Sequence, residues 1–108
     1  MAYDDVLADR LRDRPATVAG VVEKRMFGGL AFLTHGNMTV GVHGDDLIVR
    51  LRPDATEAVL TRPGVRPFDI TGRPMRGWVI VAGDRLDDTD LDRWIAEAAA
   101  FVATLPPK

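Results

Sequence analysis

The chain has 108 residues, 46% apolar and 28% charged, a formal net charge of −2, and no cysteine. That length supports one core and not two, so a single domain over residues 1–108 is expected, and the composition argues against disorder. No apolar run approaches a membrane span and no leader pattern opens the chain, so a cytoplasmic location without membrane contact is the default expectation; the missing cysteine removes disulfides and thiol chemistry.

Tyr3, Leu7 and Leu11 recur at i, i+4 and i+8 among Asp and Arg, which predicts a short amphipathic helix that Pro15 stops soon after Asp13. The β-branched run from Val18 leads into a strand near Val22–Phe27. Gly36-Asn37 and Gly44-Asp45 each look like a two-residue hairpin loop. Folding at both places Leu33 opposite Val40 and Val49, Ala31 opposite Val42 and Leu47, and Met38 opposite Leu51, a continuous apolar face. The other face then carries Phe32 lying over Gly41 beside Ile48, followed by Thr34, Thr39 and Arg50, with Arg52 at the edge.

Pro53 at a first helical position begins a second short helix that Pro63-Gly64 ends. Phe68 and Ile70 alternate as a short strand, and Met75 to Val81 reads as a further one. Asp88 or Thr89 caps a last helix whose buried stripe is Leu91, Trp94, Ile95, Ala98, Val102 and Leu105. The expected class is therefore α+β: an antiparallel sheet of about four to six strands packed with three helices, in the order helix, three or four strands, helix, one or two strands, helix.

Few residues suggest chemistry. The paired glycines of KRMFGGLAFL (Lys24–Leu33) raise the possibility of a phosphate-binding loop, but such a loop must open a helix, and a strand follows here. A bulge or tight turn is the better reading. The only histidines, His35 and His43, fall far apart in the hairpin register, so no metal site is expected. Serine is absent, which excludes a Ser-His-Asp triad. The acids between Asp84 and Asp92 lack a calcium-loop pattern and suit a helix start. Twelve of the fourteen basic residues are arginine, and Arg50, Arg52 and Arg76 could converge beside Thr39 over an aromatic floor of Phe32 or Trp78. Such a surface suits a partner's carboxylates or a small anion.

MFGGLAF at 26–32, the Gly36-Asn37-Met38 turn, LIVRL at 47–51, PMRGW at 74–78 and the Trp94 helix, in that order, resemble the TfoX N-terminal domain, the first domain of TfoX/Sxy-type regulators of competence genes. The resemblance runs from about Val22 to Phe101. It implies an α+β fold of the kind shared with secretion chaperones, and a regulatory or protein-interaction role, as in a transcriptional coactivator, in place of catalysis. The positions it carries across are Met26, Phe27, Gly28, Gly29, Arg50, Pro74, Met75, Arg76 and Gly77. Two-domain members continue into a helical second domain, whereas this sequence reaches Lys108 just after Pro106-Pro107, so activity tied to that second half is not expected here.

The expectation is thus a non-enzymatic interaction module without cofactor, using Arg50, Arg76, Thr39, Arg52, Phe32 and Trp78 to bind another protein. A small-anion binder is the second reading. Direct DNA binding is less favoured, because a chain gripping many phosphates usually shows a broad basic excess. An exposed sheet edge leaves homodimerisation as a further expectation to test.

Overall fold

The computed structural model describes residues 4–13, 21–26, 29–34, 36–69 and 76–106. Helix α1 (Asp5–Arg12) starts where the Asp4 carboxylate accepts the Val6 N–H at 2.9 Å, and it buries Leu7, Ala8 and Leu11. Four strands follow: β1 (Val21–Met26), β2 (Gly29–Thr34), β3 (Asn37–His43) and β4 (Asp46–Arg50). A 3-10 turn over Pro53–Ala55 runs into the single-turn α2 (Thr56–Val59), then come β5 (Val65–Pro67), β6 (Trp78–Val81) and α3 (Asp88–Val102). The element order matches the expected α+β pattern.

Among the described residues, six strands join one antiparallel sheet in the order β1-β2-β3-β4-β6-β5. The last strand to form the sequence is therefore not at the edge; β6 sits between β4 and the three-residue β5. Helix α3 lies across β3 and β4, and α1 packs on β3. Between helices and sheet is the main core, built from Leu11, Phe32, Val40, Val49, Leu91 and Ile95 among others. The reverse face has its own smaller cluster of Ala31, Met38, Ile48, Phe68 and Ile80, with Leu33 and Trp78 partly buried beside it.

The second hairpin has the expected register: Val40 pairs with Val49, Gly41 with Ile48 and Val42 with Leu47. The first hairpin does not. Thr34 pairs with Asn37 and Leu33 with Met38, so the chain reverses before Asn37, not at Gly36-Asn37. Between Phe32 and Leu33 the register then shifts, leaving Thr39 as an extra residue, so Phe32 pairs with Val40. Since side chains alternate with period two, one inserted residue exchanges the faces beyond it. Phe32 consequently enters the main core at 1% exposure, while Leu33, Ala31 and Met38 turn to the reverse face, away from Leu51. Met38, not Phe32, covers Gly41: a Cβ there would stand 2.7 Å from the Met38 methyl.

Three smaller corrections follow from backbone hydrogen bonding. Asp87, rather than Asp88 or Thr89, caps α3, accepting the Asp90 N–H at 2.7 Å. The stripe of α3 is buried from Leu91 to Val102, but Leu105 lies beyond the helix end and is half-buried. The strand expected at Phe68 and Ile70 occurs earlier, at Val65–Pro67, with Phe68 buried just after it and Ile70 outside the described residues.

Two features of β1 and β2 generate tests. Met26 pairs with Gly29, and Gly29 is buried where the backbone of β3 passes so closely that an added Cβ would collide with the Val42 carbonyl oxygen. No flexible side chain can yield there, so Gly29→Ala should cost about 1–3 kcal/mol, read as a lower urea midpoint; an unchanged midpoint would show that the strands can part freely. The second feature is the Arg12 fork, which donates to Glu23 from Nε at 2.8 Å and from Nη2 at 2.7 Å, while Nη1 reaches Asp9 at 2.7 Å. These hydrogen bonds hold the Glu23 carboxyl below the usual carboxylate range and the Arg12 guanidinium above its own. A depressed acid contributes stability above its unfolded value, about 4.3, and loses it as pH falls through the folded value. Glu23→Gln should therefore destabilise by about 0.2–1 kcal/mol at neutral pH, as expected for an exposed pair, and by progressively less in acid. A wild-type-to-variant gap that stays constant from pH 7 to pH 3 would contradict this.

Candidate functional site

The candidate site forms where β4 leaves the sheet. Beyond Arg50, the Leu51 N–H donates to the Gly77 carbonyl at 2.7 Å, continuing the β4–β6 ladder by one step. The Gly77 N–H in turn donates to the Thr56 hydroxyl at 2.8 Å, a buried bond, and that hydroxyl lies 3.4 Å from the Arg52 carbonyl, to which it donates. Gly77 has φ +91, and a Cβ there would come within 3.2 Å of the Leu51 oxygen. Three segments, the end of β4, the start of α2 and the start of β6, are thereby locked around one glycine and one hydroxyl.

This lock orients Arg50 and Trp78, which face each other across β4 and β6. The Arg50 guanidinium carbon sits 5.2 Å from the Trp78 ring centroid and 5.6 Å from that of Phe101 on α3. Trp78 is backed by Phe68, their centroids 5.8 Å apart. Arg50 is half-buried, and no acid pairs with it among the described residues. Its rings supply attraction but no hydrogen-bond acceptor in the guanidinium plane, so its donors remain available to a planar anion.

Beside this arginine, a groove of about 670 Å³ runs between α2 and α3. Leu51, Val59 and Phe101 give it an apolar floor, and Ala55, Ala58 and Ala100 keep its walls low. Its rim is charged. Arg52 pairs with Asp54 at 3.2 Å; Arg62 lies 5.1 Å over Trp94 and reaches Glu97 only at 3.7 Å. Arg76 is exposed and donates from Nε to the Pro53 carbonyl at 3.0 Å, which places it at the lead-in to α2.

Of the residues expected at the site, Arg50 and Trp78 come together, with Arg52 and Arg76 flanking them. Phe32 and Thr39 do not join them. Phe32 is in the main core, and Thr39 is 3% exposed with its hydroxyl 3.3 Å from that of Thr34. The bulge is the cause, since it reverses which residues share a face. Phe27, Gly28, Pro74 and Met75 lie outside the described residues. Sequence reasoning missed Phe101 and Arg62. An aromatic residue flanking the buried stripe of α3 was the available signal for Phe101; nothing local marks Arg62.

The glycine question resolves on the strand side. Gly29 opens β2, not a helix, so it presents no helix N-terminus to a phosphate. Among the described residues, no group of three or more His, Asp or Glu side chains could hold a metal, and His35 lies outside them. The acids near residue 87 serve α3: Asp87 caps it, and Asp88 meets Arg10 at 3.1 Å. No helix among the described residues is long and apolar enough to cross a membrane.

An antiparallel sheet with helices on one face, and the Arg50 guanidinium near two rings at the end of β4, define a small α+β domain with an arginine-bordered recess between α2 and α3. Residues 13–102 match the family model for the TfoX N-terminal domain. The chain belongs to that family, a competence-regulator-like module. Comparisons with curated proteins and with solved structures return no match.

The lock can be tested without knowing a ligand. Thr56→Val keeps the shape but leaves the buried Gly77 N–H without its acceptor, which should destabilise by about 1–3 kcal/mol. The tryptophan fluorescence spectrum, to which Trp78 and Trp94 both contribute, should shift as well, since Trp78 follows Gly77 directly. Full retention of stability would mean that the hydroxyl is not what joins α2 to β6.

Proposed function

We propose that this domain is a non-enzymatic regulatory module that binds another protein, with Arg50 and Trp78 at the centre of its contact surface and Arg52 and Arg76 at the rim. The observation behind this reading is the half-buried Arg50 guanidinium, within cation–π range of both Trp78 and Phe101 with no acid beside it among the described residues. Contact with two rings restricts the side chain before a partner arrives, so less rotamer entropy remains to be lost on binding. Arginine flanked by tryptophan is also the composition of interface hot spots. Membership of a competence-regulator family supports the regulatory part of the reading.

A second reading, a small anionic ligand, draws on the groove's volume, which is in the range of small-molecule pockets. Direct DNA binding has less support, because Arg52 and Arg62 already have acidic neighbours and the whole chain is acidic. Pairing of two copies along β1 meets a charged strand: Glu23, Lys24 and Arg25 are all exposed there, a pattern that blunts edges.

The test compares proteins captured from native lysate by wild type, Arg50→Ala and Arg50→Lys, all confirmed folded by circular dichroism. Capture should weaken at least about tenfold with Arg50→Ala, a loss of about 1.4 kcal/mol, and partly return with Arg50→Lys. Identical captured sets from all three would reject the surface. Stabilisation by citrate or inorganic phosphate in a thermal-shift assay, lost in Arg50→Ala and without any captured protein, would favour the small-anion reading.

A further inference from the structure

Resting on that reading, we propose that the partner element is a short amphipathic α-helix lying in the groove between α2 and α3, with an acidic residue on one flank seated on Arg50. Two properties of the groove select a helix. Its walls are themselves helical, with α3 running fifteen residues and α2 preceded by the turn at Pro53–Ala55, so their main-chain groups are spent on their own hydrogen bonds. An extended segment would bury its own N–H and C=O groups there without partners, whereas a helix arrives with them satisfied. The second property is the low wall: Ala55, Ala58 and Ala100 let a backbone approach closely, while Leu51, Val59 and Phe101 offer an apolar floor to anchors at i and i+4.

Charge selects the sign of that helix. Arg50, Arg52, Arg62 and Arg76 border the groove and its approach, against Asp54, Glu57 and Glu97. Arg52 and Arg62 each have one of those acids; Arg50 and Arg76 have none among the described residues. The surplus is positive in a domain whose overall charge is −2, so the groove favours an acidic flank and disfavours a basic one. Arg50 touches Phe101, which is part of the groove floor, so a carboxylate on Arg50 and apolar anchors on that floor fit one ligand.

The experiment places the photo-crosslinker p-benzoylphenylalanine at Ala58 or at Ala100, and at exposed Asp69 as a control, in the full chain expressed in its native cells. Crosslinked segments are then sequenced by mass spectrometry. The proposal expects both groove positions to trap the same segment, with apolar residues at helical spacing and Asp or Glu on one flank. Yield should fall at least about tenfold when Arg50→Glu is added, and recover when the trapped acid is changed to Lys. Crosslinks to a lipid or small molecule, to a second copy of this chain, to a basic or extended segment, or no yield above the Asp69 control would overturn it. If capture in the lysate experiment still depends on Arg50 while the groove traps no such helix, the interaction module stands and only the helical occupant falls.

Discussion

Which face of β2 enters the main core depends on the one extra residue at Thr39. Strand side chains alternate strictly, so a single insertion in β3 decides that Phe32 joins Val40 and Val49 beneath α3 and that Met38 covers Gly41 on the reverse side. Burial of Phe32 then gives the helix layer its largest fully buried side chain, while the reverse cluster is built from Ala31, Met38, Ile48, Phe68 and Ile80. Thr39 is tolerated inside because its hydroxyl meets that of Thr34, and the neighbouring Asn37 amide donates to the Pro106 carbonyl beyond α3. The bulge thus sits two residues from the point where Asn37 ties the sheet to the segment after α3.

A second constraint builds on the first. With α3 seated over β3 and β4, Phe101 comes near the end of β4, and the Gly77–Thr56–Leu51 contacts bring Trp78 within 5.2 Å of the Arg50 guanidinium. Neither ring would be there without the packing of the other elements. The recess is preorganised in the sense that its parts are held by buried hydrogen bonds and core contacts, not by the side chains that would meet a partner.

Charge is distributed according to local need. Acids gather at the start of α3, where Asp87 caps the helix and Asp88 takes the Arg10 guanidinium, which also donates to the Leu86 carbonyl at 2.8 Å. Arginines gather near α2, where only some find acids. The near-neutral total therefore conceals a positive border around the groove, and net charge alone says little about what this domain recognises.

The order of elements, the buried stripe of α3, the end of α1 and the Gly44-Asp45 hairpin were legible in the sequence because each depends on neighbours a few positions away: a helical period, a proline, a glycine turn. Gly77 was legible as part of a motif, though its role as the partner of Leu51 and Thr56 was not. The first hairpin misled because Gly36-Asn37 is as good a turn signal as the reversal before it, and no local pattern announces an inserted residue. What tertiary structure alone decided was parity in β3 and the company of Arg50. Both are set by contacts between residues distant in the chain, Phe32 with the helix layer and Arg50 with Phe101, and the energy of such contacts is absent from any short window of sequence.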